Sequence, residues 1–98
     1  MIAAKEIDLP KVELIERKTQ LFPKTSGQLK RYLDSPFAFY VLLQTNKVIG
    51  YLILQNVFPE SELLSIAIHP KFQHQGLGNI FLKLVITQLQ NEHFTHLY

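Results

Sequence analysis

Gln73, Gly76 and Gly78 stand in the spacing Gln-x-x-Gly-x-Gly, between an apolar segment ending at His69-Pro70 and a long amphipathic one. Residues of these types in this order suit phosphate binding. The first turn of a helix has N–H groups without partners and a partial positive charge. Glycines lack the Cβ that would hold a pyrophosphate away from the main chain. The N–H groups of His74, Gln75, Gly76, Leu77, Gly78 and Asn79 can then converge on anionic oxygens. Glycine in an opening turn disfavours the helix, so its presence there argues for a purpose. A Walker loop would need Gly-Lys-Ser/Thr, and a dinucleotide fingerprint would need a third glycine. A glycine-rich turn that binds nothing is the plain alternative. The strand before and the helix after weigh against it.

The elements that position this turn follow from the apolar spacing. Asp8 as N-cap and Pro10 in the first turn open a helix carrying Val12, Ile15 and Phe22, and Pro23 ends it. A short helix is expected from Thr25 or Ser26 to Asp34, with Leu29, Tyr32 and Leu33 turned inward, stopped by Ser35-Pro36. Phe37 to Thr45 and Val48 to Val57 read as two strands of a hairpin joined at Asn46-Lys47. Gly50 marks a bulge or a close backbone approach. After a turn at Pro59-Glu60-Ser61, Leu63 to His69 reads as a third strand. It places Leu64, Ile66 and Ile68 on one face and Ser65 and Ala67 on the other. Lys71 to Gly76 is a polar loop, and Leu77 to Asn91 is the longest helix. Its apolar face is wide enough to need cover on more than one side. Thr95 to Tyr98 opens another strand, so the chain makes a parallel crossover, right-handed by default.

Composition excludes several alternatives. With 98 residues, 47% hydrophobic and 18% charged, the chain holds one small domain with a core. No repeat or linker divides it. A formal net charge of +2, evenly spread, does not suggest nucleic acid as a partner. The chain has no cysteine, so disulfides, thiolate metal sites and a Cys nucleophile are excluded. No apolar run has membrane-spanning length, and no signal pattern opens the chain; a cytoplasmic protein is expected.

Leu64-Ser65-Ile66-Ala67-Ile68-His69-Pro70-Lys71-Phe72-Gln73-His74-Gln75-Gly76-Leu77-Gly78 resembles the central signature of the GNAT superfamily of N-acetyltransferases. Asp8-Leu9-Pro10, Ile15-Glu16 and Phe22-Pro23 extend the resemblance to its RimI-like branch, the bacterial ribosomal-protein-alanine acetyltransferases. The resemblance implies an α+β acyl-CoA N-acyltransferase fold with acetyl-CoA as cosubstrate, CoA as product, and an amine acceptor, such as a protein N-terminus. It implies that the main chain of Ile66, Ala67 and Ile68 faces the pantetheine arm and thioester. The N–H groups from His74 to Asn79 would hold the pyrophosphate. The strand at Ile66–Ile68 would splay from the next, and a main-chain N–H there would stabilise the oxyanion as an amine attacks. Most relatives have Arg where this chain has His74.

The resemblance covers about the first two-thirds of a domain of that family. The expected general base and acid lie beyond Tyr98, so residues 1–98 read as a single, incomplete domain with no catalytic residue assigned. A non-catalytic remnant or CoA-binding module is the competing expectation, as is a homodimer formed through the exposed strand edge. Other titratable residues weigh less. His69 reads as a strand-end residue with a local hydrogen bond ahead of a general base. Glu60 and Glu62 read as turn carboxylates, and His93 and His96 lack the further ligands of a metal site. Tyr98 reads as a strand aromatic.

Overall fold

The computed structural model describes all 98 residues, Met1–Tyr98. One five-stranded sheet runs in the order β1-β2-β3-β4-β5. Its strands are β1 (Ile2–Ala3), β2 (Phe37–Gln44), β3 (Lys47–Val57), β4 (Glu60–Ile68) and β5 (His96–Leu97). The first four pair antiparallel, and β5 lies parallel to β4. Helices α1 (Leu9–Thr19) and α2 (Ser26–Leu29) cover one face, and α3 (Leu77–Asn91) covers the other.

Strand alternation feeds two cores. Phe39, Val41, Tyr51, Ile53 and Ala67 meet Val12 and Ile15 of α1 and Leu29 of α2. Leu42, Leu52, Leu54 and Ile68 meet Phe81, Val85 and Leu89 of α3. The bounds of α3 agree with those expected from its period. Only one of its sides packs on the sheet, and Ile80, Leu84 and Ile86 on its flanks are exposed.

Several boundaries differ from expectation, each for a local reason. Helix α1 ends at Thr19, one turn before Pro23, and Phe22 stands 85% exposed instead of continuing the apolar face. The Gln20 N–H caps the helix on the Glu16 carbonyl at 2.8 Å. The hairpin turn sits at Thr45-Asn46, with φ of 50° and 61°, while Gln44 and Lys47 pair across it. Positive φ at both central positions is the type I′ pattern, with Thr45 and Asn46 as those two residues, so Lys47 belongs to β3. Strand β4 starts at Glu60, because the turn is made by Phe58-Pro59. Its register slips between Ile53 and Leu54 of β3, leaving Leu64 as the extra residue of a bulge. Leu64 is therefore exposed, and Leu63 takes the inward place beside Ile66 and Ile68. The strand β1 carries no sequence signal, being two residues long.

Gly50 lies under β4. A Cβ there would stand 2.7 Å from Ile68 Cδ1 and 3.0 Å from the Ala67 carbonyl oxygen. The first contact can relax by rotating a side-chain end, but the second is with main chain. Gly50→Ala is expected to destabilise the fold by about 1 kcal/mol and Gly50→Val by about 3 kcal/mol. Urea denaturation with an unchanged m-value would check both.

Candidate functional site

The β4–α3 connection begins with a single 3-10 turn, Pro70–Phe72, and ends at Gly76 in the left-handed region, φ 76°. His74 shares that region with φ 65°. These two left-handed residues turn the chain between the 3-10 turn and the opening of α3, the kind of backbone reversal that builds anion-binding concavities. No protein atom accepts from the N–H groups of His74, Gln75, Gly76, Leu77, Gly78 or Asn79; the first amide of the helix to bond inward is Ile80, onto the Gly76 carbonyl at 3.2 Å. Six consecutive donors at the positive end of a 15-residue helix therefore lack a partner within the chain.

Beside them lies an open cleft of about 420 Å³. Its floor is Ile66, Ala67 and Ile68 at the end of β4, one wall is the loop with His74, Gly76, Leu77 and Gly78, and the other is Thr19 and Gln20. Seven of the nine residues expected to contact a cofactor thus line one cleft. Gln75 and Asn79 do not line it, and their main-chain N–H groups have no acceptor within the chain.

The three β4 residues are not equivalent. The His69 N–H donates to the Ile49 carbonyl at 2.8 Å, so alternation turns the main chain of Ala67 towards β3 as well. The Ala67 carbonyl lies beneath Gly50, in agreement. Ala67 therefore offers the cleft a methyl group, and Ile66 and Ile68 alone present main-chain polar groups at the opposite edge. In this chain β5 borders only the start of β4, with Glu60 opposite His96 and Ser61 opposite Leu97. Gln73 takes up one group of the free edge, its side-chain amide donating to the Ile68 carbonyl at 2.9 Å. The motif glutamine is thus a clasp holding the loop on the strand, and the Ile66 N–H, Ile66 carbonyl and Ile68 N–H remain at the edge.

The wall carrying Thr19 and Gln20 is set by a residue that composition and spacing did not single out for a role. Glu16 is 0% exposed. Its carboxylate accepts from the Tyr51 hydroxyl at 2.5 Å and from the Lys24 N–H at 3.0 Å, with the Lys24 ammonium at 3.9 Å. The Tyr51 oxygen also lies 3.3 Å from Ser65 Oγ on β4. Burial pushes the Tyr51 hydroxyl well above its usual range, and the Glu16 carboxylate adds to the effect, so the proton stays on the phenol. The sequence signal that could have exposed Glu16 is its place on the stripe of Val12 and Ile15.

The remaining titratable residues lie elsewhere. His69 accepts the Lys71 N–H at Nδ1, 3.1 Å, which is the local hydrogen bond expected of it. Desolvation, with Lys18 and Lys71 nearby, holds its imidazole below the ordinary value. Glu60, Glu62 and Tyr98 cluster at the far end of β4. His96 stacks on Tyr98, ring centroids 6.0 Å apart, with Nδ1 3.0 Å from Thr95 Oγ1. His93 takes φ 66° in the turn after α3.

A mixed sheet with helices on both faces, and a turn of unpaired amides at the end of a central strand, defines an α+β protein with a cleft between strand and helix. The chain belongs to the acetyltransferase (GNAT) family, whose model matches residues 6–98. It is 38% identical over 88 residues to the [ribosomal protein bS18]-alanine N-acetyltransferase of Escherichia coli K12, covering 85% of this chain and 56% of that protein. The crystal structure of the ribosomal-protein-S18-alanine N-acetyltransferase from Escherichia coli superposes with a TM-score of 0.90 at 28% identity, covering 98% of this chain and 62% of that one. The PaiA N-acetyltransferase of Thermoplasma acidophilum, solved in complex with coenzyme A, shares the fold with a TM-score of 0.83 at 13% identity, over 95% of this chain and 72% of that one. The chain spans little more than half the length of the curated relatives it matches.

Two substitutions separate the parts of the Glu16 network. In Glu16→Gln the new carbonyl can accept from Lys24 while the amide donates to Tyr51, whose proton turns to Ser65. That variant should lose about 1 kcal/mol. Glu16→Ala strands two donors and leaves a cavity, a loss of about 3 kcal/mol. Equal losses for the two in chemical denaturation would show that Tyr51 cannot reverse its bond.

Proposed function

We propose that the cleft at the β4 edge binds acetyl-CoA and that the chain is the cofactor-binding part of an N-acetyltransferase. The acceptor is an amine, read here as the α-amine of a protein N-terminus. One observation carries this reading: six successive main-chain N–H groups without protein acceptors stand beside an open strand edge. The amides suit a pyrophosphate, which offers several acceptor oxygens at once. The edge groups of Ile66 and Ile68 suit the amides of an extended pantetheine arm, as a further strand would. The acetyl donor supplies a thioester carbonyl. The protein's part is to align that carbonyl along β4, where a free main-chain N–H can take up developing negative charge. The names of the relatives support the acceptor class.

A second reading, CoA binding without turnover, is favoured by the lining of the cleft. Thr19 and Gln20 face the floor with neutral side chains, and no carboxylate or tyrosine lines the cleft. Proton transfer by positioned side chains commonly contributes about a hundredfold or more. The free edge that takes pantetheine in the first reading would also accept a second copy of the chain.

CoA at about a hundred times its Kd is expected to stabilise the chain by about 2.7 kcal/mol. Gly76→Val, strained at φ 76°, should weaken CoA binding about tenfold or more by turning its amides out of line. Calorimetric titration reads binding, and mass spectrometry of an alanine-initiated peptide reads transfer. Absence of both heat and stabilisation with CoA would sink both readings, and binding without acetylated peptide would favour the second.

A further inference from the structure

We infer that His74 sets the strength of this anion site, so that capture of CoA tightens as the pH falls. The inference rests on the cleft binding CoA and adds the group that regulates it. Eleven residues line the cleft, and His74 alone among them has an ionisable side chain. The amides of His74 to Asn79 are dipoles whose protonation does not change. A pyrophosphate diester keeps its two negative charges across the neutral range. The only charge at the contact that can change is therefore on the His74 ring.

The ring is free to respond. No hydrogen bond or ion pair within the chain engages it; the histidines that make such bonds are His69 and His96. It is mounted on a residue at φ 65°, beside the donors themselves. No carboxylate lines the cleft, and Glu16, behind its α1 wall, is buried and bonded to Tyr51 and the Lys24 N–H. On α1 the facing residues, Thr19 and Gln20, are uncharged, with Lys18 before them. On β4 the facing residues are apolar, and on α3 they are Leu77 and Gly78, with Lys83 the first charge further along. Lys71, in the loop, lines a neighbouring cleft with His69, Lys11 and Lys47. His69 titrates, but it lies in that other cleft and its Nδ1 is held by the Lys71 N–H.

The sign follows directly. An anion binds the imidazolium more strongly than the imidazole, so binding draws a proton onto His74 and gains strength where that proton is available. A charge-assisted hydrogen bond is roughly twice as strong as a neutral one.

Dephospho-CoA is the probe of choice. The 3′-phosphate monoester of CoA itself titrates near pH ~6 and would obscure the protein's contribution. Calorimetric affinities for the full chain are measured from about pH 8 to about pH 5.5, the range that spans imidazole titration. The natural chain should bind about tenfold more tightly at the acid end, where the charged bond replaces a neutral one. His74→Gln should abolish that rise, and His74→Arg should bind tightly with a flat profile. His69→Gln should retain the rise. A rise that persists in His74→Gln, or a flat profile in the natural chain, overturns the inference while leaving CoA binding intact. No binding of dephospho-CoA or CoA at any pH overturns both. Thermal melts of each variant without ligand confirm that a lost rise is not lost fold.

Discussion

The hydrogen bond from Tyr51 to the buried carboxylate of Glu16 is the constraint on which the candidate site depends. An ionised carboxylate away from water is costly unless its oxygens are satisfied. Here one oxygen takes the Tyr51 hydroxyl and the other the Lys24 N–H. These contacts fix the rotation of α1, because only one helical position can point Glu16 at β3. They fix the start of the connection to α2 through Lys24, and Ser26 strengthens it by donating to Glu13 at 2.6 Å. Tyr51 passes the constraint on to Ser65 of β4. Thr19 and Gln20, one turn beyond Glu16, are thereby held opposite Ile66–Ile68. The width of the cleft follows from a bond that does not line it.

The same strand has to serve two packing regimes. On the α1 side, β4 presents Ser65 and Ala67, small residues that admit a helix and a buried polar network. On the α3 side it presents Ile66 and Ile68, which bury apolar area against Phe81 and Val85. Gly50 lets β3 approach this end of β4 without a side chain between them. The bulge at Leu64 resets the alternation so that Leu63 and Ile66 share a face. Without that extra residue, every side chain before it would point to the wrong core. The loop then leaves β4 between the residues that follow α1 and the start of α3, and the open cleft lies there.

The parts of the site legible in the sequence are those made by neighbours in the chain. Six amides, two glycines and a helix start lie within seven residues, so spacing alone indicated their convergence. Helix α3 was equally legible because its period is long and uninterrupted. The opposite wall was not legible. Thr19 and Gln20 meet Ile66–Ile68 across some 47 positions of sequence, and nothing local marks a helix end as a cleft wall. Glu16 escaped for a related reason: a charged residue reads as solvated until its partner is known, and Tyr51 lies 35 residues away. Phe22 shows the reverse error. It keeps helical spacing with Val12 and Ile15, but the Gln20 cap ends the helix first. Local apolar spacing cannot report which of two endings wins.

This division between local and distant determinants bears on what the chain can do. The anion capture proposed above draws on backbone geometry contained in one loop and one helix turn, with Gln73 clasping the loop to its own strand. The two residues of positive φ, His74 and Gly76, shape that geometry, and His74 adds the one ionisable side chain of the cleft. Transfer chemistry makes a different demand, since a proton acceptor must be delivered to the β4 edge from another element. The elements that reach this edge from the α1 side deliver neutral side chains. Capture and turnover thus rest on separate parts of the architecture. A strand–loop–helix unit of this kind can keep the first wherever its amides stay aligned, independent of how the second is supplied.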